Sequence, residues 1–151
     1  RQNIAYVGQE PEFFSGSIEE NLRLVNPEAS DAQLYEALEK SGLSEWLKSL
    51  PDGLKTSLYS GNTTHVPSSI APQFALARAM IQDSPIMLFD EMPYEFLNSA
   101  SGKCFYDFIT AQKNKRTILL ITYRQDYIDL ADTVIQLHQD MPPQIKEKKH
   151  A

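Results

Sequence analysis

Two adjacent carboxylates, Asp90 and Glu91, follow directly after the apolar run Ile86–Phe89. A short apolar run that begins after a proline is typical of a β-strand buried on both faces, as in a parallel sheet. Acids at the carboxyl end of such a strand lie where open α/β sheets bind their ligands. The first acid is then suited to hold a metal ion and the second to polarise a water molecule. The alternative is a strand that simply ends in an Asp–Glu turn.

The composition excludes several classes of protein. The chain has 151 residues, enough for one domain with a core, and its 42% hydrophobic and 23% charged residues are usual for a soluble globular protein. The net charge of −6 argues against a nucleic-acid partner. The one cysteine, Cys104, can form no intramolecular disulfide and fits a reducing compartment. No apolar run approaches the ~20 residues that a membrane-spanning helix needs.

Other short apolar runs alternate with helical patterns along the chain. Between the first run and the central one, Ser17 and Glu20 have the spacing of a capping box at a helix start. The order strand, helices, strand, helix, strand, helix, strand predicts an α/β fold with a parallel sheet and right-handed crossovers. The predicted parts are a helical subdomain over about 14–82, a sheet core over 1–9 and 83–137, and a polar tail over 138–151.

Segments in this order resemble the nucleotide-binding domain of ABC transporters, most closely the exporter type. The resemblance runs through residues 2–137 and includes the strand and Q-loop (4–9), the exporter segment behind it (14–22), the turn before the signature (50–54), the helix behind the signature (75–79), and Walker B with its catalytic Glu (86–91). It implies a P-loop NTPase-like (ABC ATPase) parallel sheet, truncated, with an all-helical subdomain inserted after the first strand.

The resemblance also implies roles for three side chains. Gln9 would contact Mg²⁺ and the attacking water, Asp90 would hold Mg²⁺ through water, and Glu91 would be the general base. The alternative for Gln9 is a solvated loop amide. The implied cofactors of the full-length parent are ATP and Mg²⁺, with weak or no binding expected for this piece alone. The implied partners are a transmembrane domain and a second nucleotide-binding domain at the cytoplasmic face of a membrane.

The sequence departs from the family pattern at several motifs. The phosphate loop G-x-x-x-x-G-K-[ST] occurs nowhere in the 151 residues, and a start at Arg1 just before a strand predicts a piece of a longer protein. The signature Leu-Ser-Gly-Gly-Gln aligns with residues 66–70, where Ser68 and Ser69 replace both glycines. These serines are either simple helix N-caps, which we favour, or a weak anion site at the helix N-terminus.

Two further family motifs also differ. The D-loop aligns with residues 94–97, which lack its final Asp, and Tyr123 stands where the family has the H-loop His. A phenol with a pKa near 10 cannot titrate near neutrality as an imidazole does, although it can donate one hydrogen bond. The chain's own histidines show no metal-ligand spacing and are predicted to face solvent; they are His65, His138 and His150.

Three functions remain open. The parent protein is either an active exporter ATPase, or a degenerate non-catalytic cassette that acts as a structural or regulatory partner in a heterodimer. The third hypothesis is a binding module in which residues 17–50 dock a transmembrane partner, with Phe13, Phe14 and Trp46 as apolar anchors. Core packing of these aromatics is the favoured alternative. We predict that the chain alone hydrolyses no ATP and exposes apolar surface of its sheet.

Overall fold

A computed structural model describes residues 3–60 and 63–147 of the chain. The strands are β1 (Ile4–Val7), β2 (Tyr59–Ser60), β3 (Thr63–Thr64), β4 (Ile86–Asp90), β5 (Thr117–Ile121), β6 (Thr133–Gln136) and β7 (Gln144–Glu147). The α-helices are α1 (Ile18–Arg23), α2 (Asp31–Lys40), α3 (Ser44–Lys48), α4 (Ala71–Gln82), α5 (Tyr94–Leu97), α6 (Ala100–Gln112) and α7 (Gln125–Leu130), with a 3-10 turn at Gly53–Lys55. Residues up to Ile121 form one compact unit and residues from Thr122 onward a second. No helix in these ranges is long and apolar enough to cross a membrane.

Three parallel strands form the main sheet, in the order β1-β4-β5. Ile4 of β1 is opposite Ile86 of β4, which is opposite Thr117 of β5, and the register continues from there to the carboxyl ends. The central position of β4 agrees with its continuous apolar composition. The predicted α/β fold, with a parallel sheet and helices inserted after the first strand, is confirmed.

The sheet is buried on one face and exposed on the other. The buried face carries Ala5, Val7, Met87 and Phe89, and the exposed face carries Ile4, Tyr6, Leu119 and Ile121. The prediction that β4 is buried on both faces is wrong for one of them, on which its side chains are only half-buried. Successive side chains of a strand point to opposite faces, so an apolar run supplies two apolar faces whether or not another element packs on each.

The helices between β1 and β4 have a core of their own. Leu34 and Leu38 lie four residues apart on α2 and are fully buried in a cluster with side chains of α1, α3 and α4. The predicted helix start at Ser17 is confirmed, and Ser30 starts α2 in the same way: each serine accepts a hydrogen bond from the backbone N–H three residues on, in a capping box. Gly42 follows α2 with a φ of +82°, a conformation that glycine adopts without a steric penalty.

Acid is expected to weaken the start of α1. The Glu20 carboxylate accepts a hydrogen bond of 2.7 Å from the Ser17 backbone N–H, which holds the pKa of Glu20 below its ordinary value. Because the folded pKa is the lower one, this stabilisation is present above the unfolded pKa and is lost as pH falls through the folded pKa. In urea unfolding at several pH values, Glu20→Gln should lose this part of the pH dependence. Identical pH profiles for both proteins would contradict the prediction.

A half-buried arginine of α4 links this helix to the segment after β1. The guanidinium of Arg78 donates to the side-chain oxygen of Asn21 (2.8 Å), to the Asn21 carbonyl (3.1 Å) and to the Glu12 carbonyl. It also lies over the rings of Phe13 and Phe74, at 5.4 and 5.2 Å from their centroids. Removal from water lowers the pKa of Arg78 to about 10, so the side chain stays charged at neutral pH.

The second unit differs from the sequence prediction. β6 was expected to extend the parallel sheet, but it pairs antiparallel with β7, Thr133 opposite Glu147. The eleven residues 122–132, which include α7, are at the short limit for a parallel crossover, and the seven residues 137–143 join β6 to β7 as a hairpin. The segment predicted as a polar tail therefore contains a strand, all of whose side chains are exposed.

Candidate functional site

The candidate site lies at the carboxyl edge of the main sheet. β1 and β4 run parallel, so Gly8 and Gln9 after β1 come next to Asp90 and Glu91 at the end of β4. The side-chain amide of Gln9 donates to Glu91 Oε2 over 3.3 Å, and the hydroxyl of Tyr6 donates to Asp90 Oδ2 over 3.0 Å. The structure thus brings together the three side chains that the sequence singles out, and adds Tyr6 to them.

The two acids differ in environment. Asp90 ends β4 and is half-buried, whereas Glu91 is exposed and has a φ of +45°. The hydrogen bond to the Asp90 carboxylate raises the pKa of the Tyr6 phenol above its ordinary value. The phenol therefore stays protonated and keeps its donor at neutral pH.

The donor atoms at this edge fit Mg²⁺. Carboxylate oxygens of Asp90 and Glu91 and the amide oxygen of Gln9 are the hard ligands that Mg²⁺ prefers. Mg²⁺ usually keeps several waters and takes only one or two carboxylates from the protein, the rest of its shell coming from substrate phosphates. The described part of the chain holds no group of three or more His, Cys, Asp or Glu side chains arranged for a metal, so these two acids would serve without a third.

Tyr6 is the residue that the sequence reasoning missed. On the exposed face of the sheet it lies opposite Leu88, and Asp90 is two residues further along the same face of β4. Strand alternation in β1 and β4 could have placed Tyr6 and Asp90 on one face, once the register was known. The sequence shows the alternation but not the register.

The signature-like residues are placed differently from their prediction. α4 begins at Ala71 with Ile70 as its N-cap and no side-chain cap, so neither Ser68 nor Ser69 is the N-cap that we favoured. Both serines are exposed in the preceding turn, where Pro67 accepts hydrogen bonds from the N–H groups of Ile70 and Ala71. Because of this turn, the helix begins only after the two serines. Pro72 fits the first helical turn because its missing N–H is not needed there.

The other residues singled out by the sequence are Tyr123 and the three histidines. Tyr123 belongs to the unit that begins at Thr122, and its side chain is 64% exposed. His65 is exposed, but His138 is half-buried with an unpaired Nε2, so the prediction that it faces solvent is wrong. His150 lies outside the described residues.

The aromatics proposed as docking anchors are divided between core and surface. Phe13 and Trp46 pack against the helical core, and Phe13 meets Phe74 edge to face at 5.2 Å. Phe14 is 54% exposed. Core packing, the alternative that the sequence favoured, therefore accounts for two of the three.

Comparison with known proteins gives relatives along most of the chain. The chain is 32% identical to the ATP-dependent permease MDL1 of Candida albicans, over 93% of this chain and 21% of the permease. It is 31% identical to a probable ABC transporter ATP-binding/permease protein of Haemophilus influenzae, over 89% of this chain and 24% of that protein. The chain thus spans about a fifth to a quarter of the length of these relatives. No family profile matches it.

A solved structure has the same fold. A bacterial Atm1-family ABC exporter with ATP bound superposes with a TM-score of 0.77 at 24% identity, over 92% of this chain and 24% of the exporter chain. At this identity the structural match shows a shared fold only. The similarity in sequence is shown by the two permeases above. Sequence and fold agree, and together they assign the chain to the ABC transporters, as part of an exporter-type nucleotide-binding domain.

Proposed function

We propose that the chain is part of the ATP-binding and ATP-hydrolysing module of an exporter-type ABC transporter, acting beside a transmembrane domain at the cytoplasmic face of a membrane. The observation that carries the proposal is the meeting of Gln9, Asp90 and Glu91 at the carboxyl edge of the sheet. The names of the relatives, which are ATP-dependent or ATP-binding permeases, support it. A second nucleotide-binding domain is the expected partner across the nucleotide.

The family resemblance implies the roles of the side chains, and their positions support these roles. Bound Mg-ATP would supply the phosphoryl group that is transferred to water. Asp90, half-buried at the end of the central strand, would hold Mg²⁺ through water. Glu91, exposed beside it, would accept the proton of the attacking water. The Gln9 amide, which donates to Glu91, would orient the Glu91 carboxylate and this water. The phosphate-binding loop must come from outside these residues, so the chain alone should not hydrolyse ATP.

A degenerate, non-catalytic cassette is the second candidate, and one observation favours it. The turn at Ser68 and Ser69 has serines in place of the two signature glycines, and neither residue has the positive φ that glycine permits. A side chain at each position also keeps the backbone further from a phosphate. In a heterodimer, this turn would weaken the partner's nucleotide site, while Glu91 could still serve the site of its own domain.

A chimera distinguishes the two candidates. The matching segment of the Candida albicans permease is replaced by this chain, so that the other parts of the permease are present, and ATP hydrolysis and binding are measured on the purified protein. Under the first candidate the chimera is active, and Glu91→Gln lowers kcat about 100-fold or more while ATP binding is retained. The control is Glu95→Gln, an exposed acid four residues away, which should leave kcat unchanged.

Under the second candidate, the chimera binds ATP but does not hydrolyse it. The combined changes Ser68→Gly, Ser69→Gly and Tyr123→His then restore hydrolysis. A folded chimera that is active and indifferent to Glu91→Gln would contradict the proposed general base. A folded chimera that remains inactive after the three restorations would contradict the proposal that this edge is competent for hydrolysis.

A further inference from the structure

We infer that Tyr6 is a positioning residue for the cation site, holding the Asp90 carboxylate in the orientation in which it binds the metal. The inference rests on the proposed function, since it assigns the cation to Asp90. Its geometric basis is the hydrogen bond of 3.0 Å from the Tyr6 hydroxyl to Asp90 Oδ2. This bond engages one carboxylate oxygen and leaves Oδ1 to face a hydrated cation.

Gly8 is the second observation, and it is independent of the hydrogen bond. A Cβ atom built on Gly8 would lie 3.1 Å from both the hydroxyl oxygen and a ring carbon of Tyr6, closer than side chains normally approach. Tyr6 and Gly8 are two residues apart in an extended segment and lie on the same side of it. The missing side chain at Gly8 therefore makes the space in which the phenol lies along the strand end and reaches Asp90.

Gly8→Ala is a useful test variant because the backbone conformation at Gly8 does not require glycine. Its φ lies outside the positive range, so alanine can adopt the same backbone conformation, and the effect of Gly8→Ala falls on the Tyr6 ring. Tyr6→Phe, in contrast, keeps the ring and removes only the hydroxyl. Since the Tyr6 side chain is 63% exposed, neither change opens a cavity in the core.

The expected size of the effect follows from how metal ligands are supported. Hydrogen bonds to a ligating group fix its orientation, and their loss typically lowers metal affinity by about 10- to 100-fold. Asp90 is a single carboxylate at the end of a strand, and Tyr6 is the side chain that the structure shows donating to it. Loss of the hydroxyl should therefore weaken cation binding towards the lower end of that range, about 10-fold.

The test measures Mn²⁺ binding to the 151-residue chain by electron paramagnetic resonance, with Mn²⁺ as the probe for the Mg²⁺ site. Tyr6→Phe and Gly8→Ala should each raise the dissociation constant about 10-fold. The double variant should bind no more weakly than either single one, because both changes remove the same hydrogen bond. The matched control is Tyr35→Phe on α2, a tyrosine of similar exposure (51%), which should bind as the unchanged protein does.

Asp90→Asn separates failure of this inference from failure of the proposed function. If Asp90→Asn abolishes Mn²⁺ binding while Tyr6→Phe leaves it unchanged or tightens it, the cation site stands and the role of Tyr6 is overturned. If Asp90→Asn leaves binding unchanged, the cation does not bind at Asp90 and both are overturned. Additive losses in the double variant would also overturn the role of Tyr6. Thermal unfolding without Mn²⁺ should be the same for Tyr6→Phe and the unchanged chain.

Discussion

Replacing Phe89 with alanine should destabilise the first unit by about 3–5 kcal/mol, the largest effect that we expect of a single substitution. Phe89 is fully buried at the end of the central strand. Its ring meets Phe105 of α6 edge to face at 5.0 Å, and Phe105 in turn meets Phe96 at 6.0 Å. Truncation removes apolar contact area and leaves a cavity that the strand, held on both sides by its neighbours, cannot readily close.

The measurement is urea unfolding followed by far-UV circular dichroism. The matched control is Leu119→Ala on the neighbouring strand, where the side chain is on the uncovered face and 48% exposed. That change should cost less than about 1 kcal/mol, because little area is lost from the interior. Equal losses at the two positions would mean that the uncovered face is buried in solution.

Replacing Asn21 with alanine should destabilise the same unit by about 3 kcal/mol, although the residue is polar. Asn21 is completely buried on α1. Its side-chain oxygen accepts from the Phe14 N–H (2.9 Å) and from Arg78, and its amide donates to the carbonyls of Phe14 (2.9 Å) and Ser17 (3.0 Å). Alanine leaves the Phe14 groups and one guanidinium N–H without these partners, at part-buried positions where water replaces them only in part.

Asn98→Ala is the control for this prediction, since Asn98 is exposed and its amide donates to the Tyr94 carbonyl. It should change the free energy of unfolding by less than about 1 kcal/mol. A double-mutant cycle with Arg78→Lys should give a coupling energy of about 1 kcal/mol, because lysine cannot donate to two acceptors in the geometry of a guanidinium. Independent effects would mean that Arg78 and Asn21 do not act as one network.

The grouping of Gln9 with Asp90 and Glu91 was predicted through the family resemblance. The structure supplies its geometric basis, because β1 and β4 are parallel neighbours and their carboxyl ends meet at one edge of the sheet. The helix start at Ser17 was predictable from the residues alone, since the capping box is a local pattern with a fixed spacing.

The residues that the sequence missed or placed wrongly depend on tertiary context. The contact of Tyr6 with Asp90 requires the register of two strands and the space beside Gly8. Ser68 and Ser69 have good capping side chains, but the turn at Pro67 leaves both serines before the helix start. β6 has an apolar composition that suits either kind of sheet, and its partner β7 lies in the segment that the sequence predicted as a polar tail.

The positive φ of Glu91 implies a trade-off between folding and chemistry. Within the described residues, the other non-glycine positions with positive φ are Asp83 and Asn114, residue types that adopt this conformation readily, whereas glutamate does not. A left-handed conformation costs a non-glycine residue about 1–3 kcal/mol. Glycine or asparagine at position 91 would avoid most of this cost. Under the proposed role as general base, Glu91 presents its carboxylate from a backbone conformation that lowers the stability of the fold.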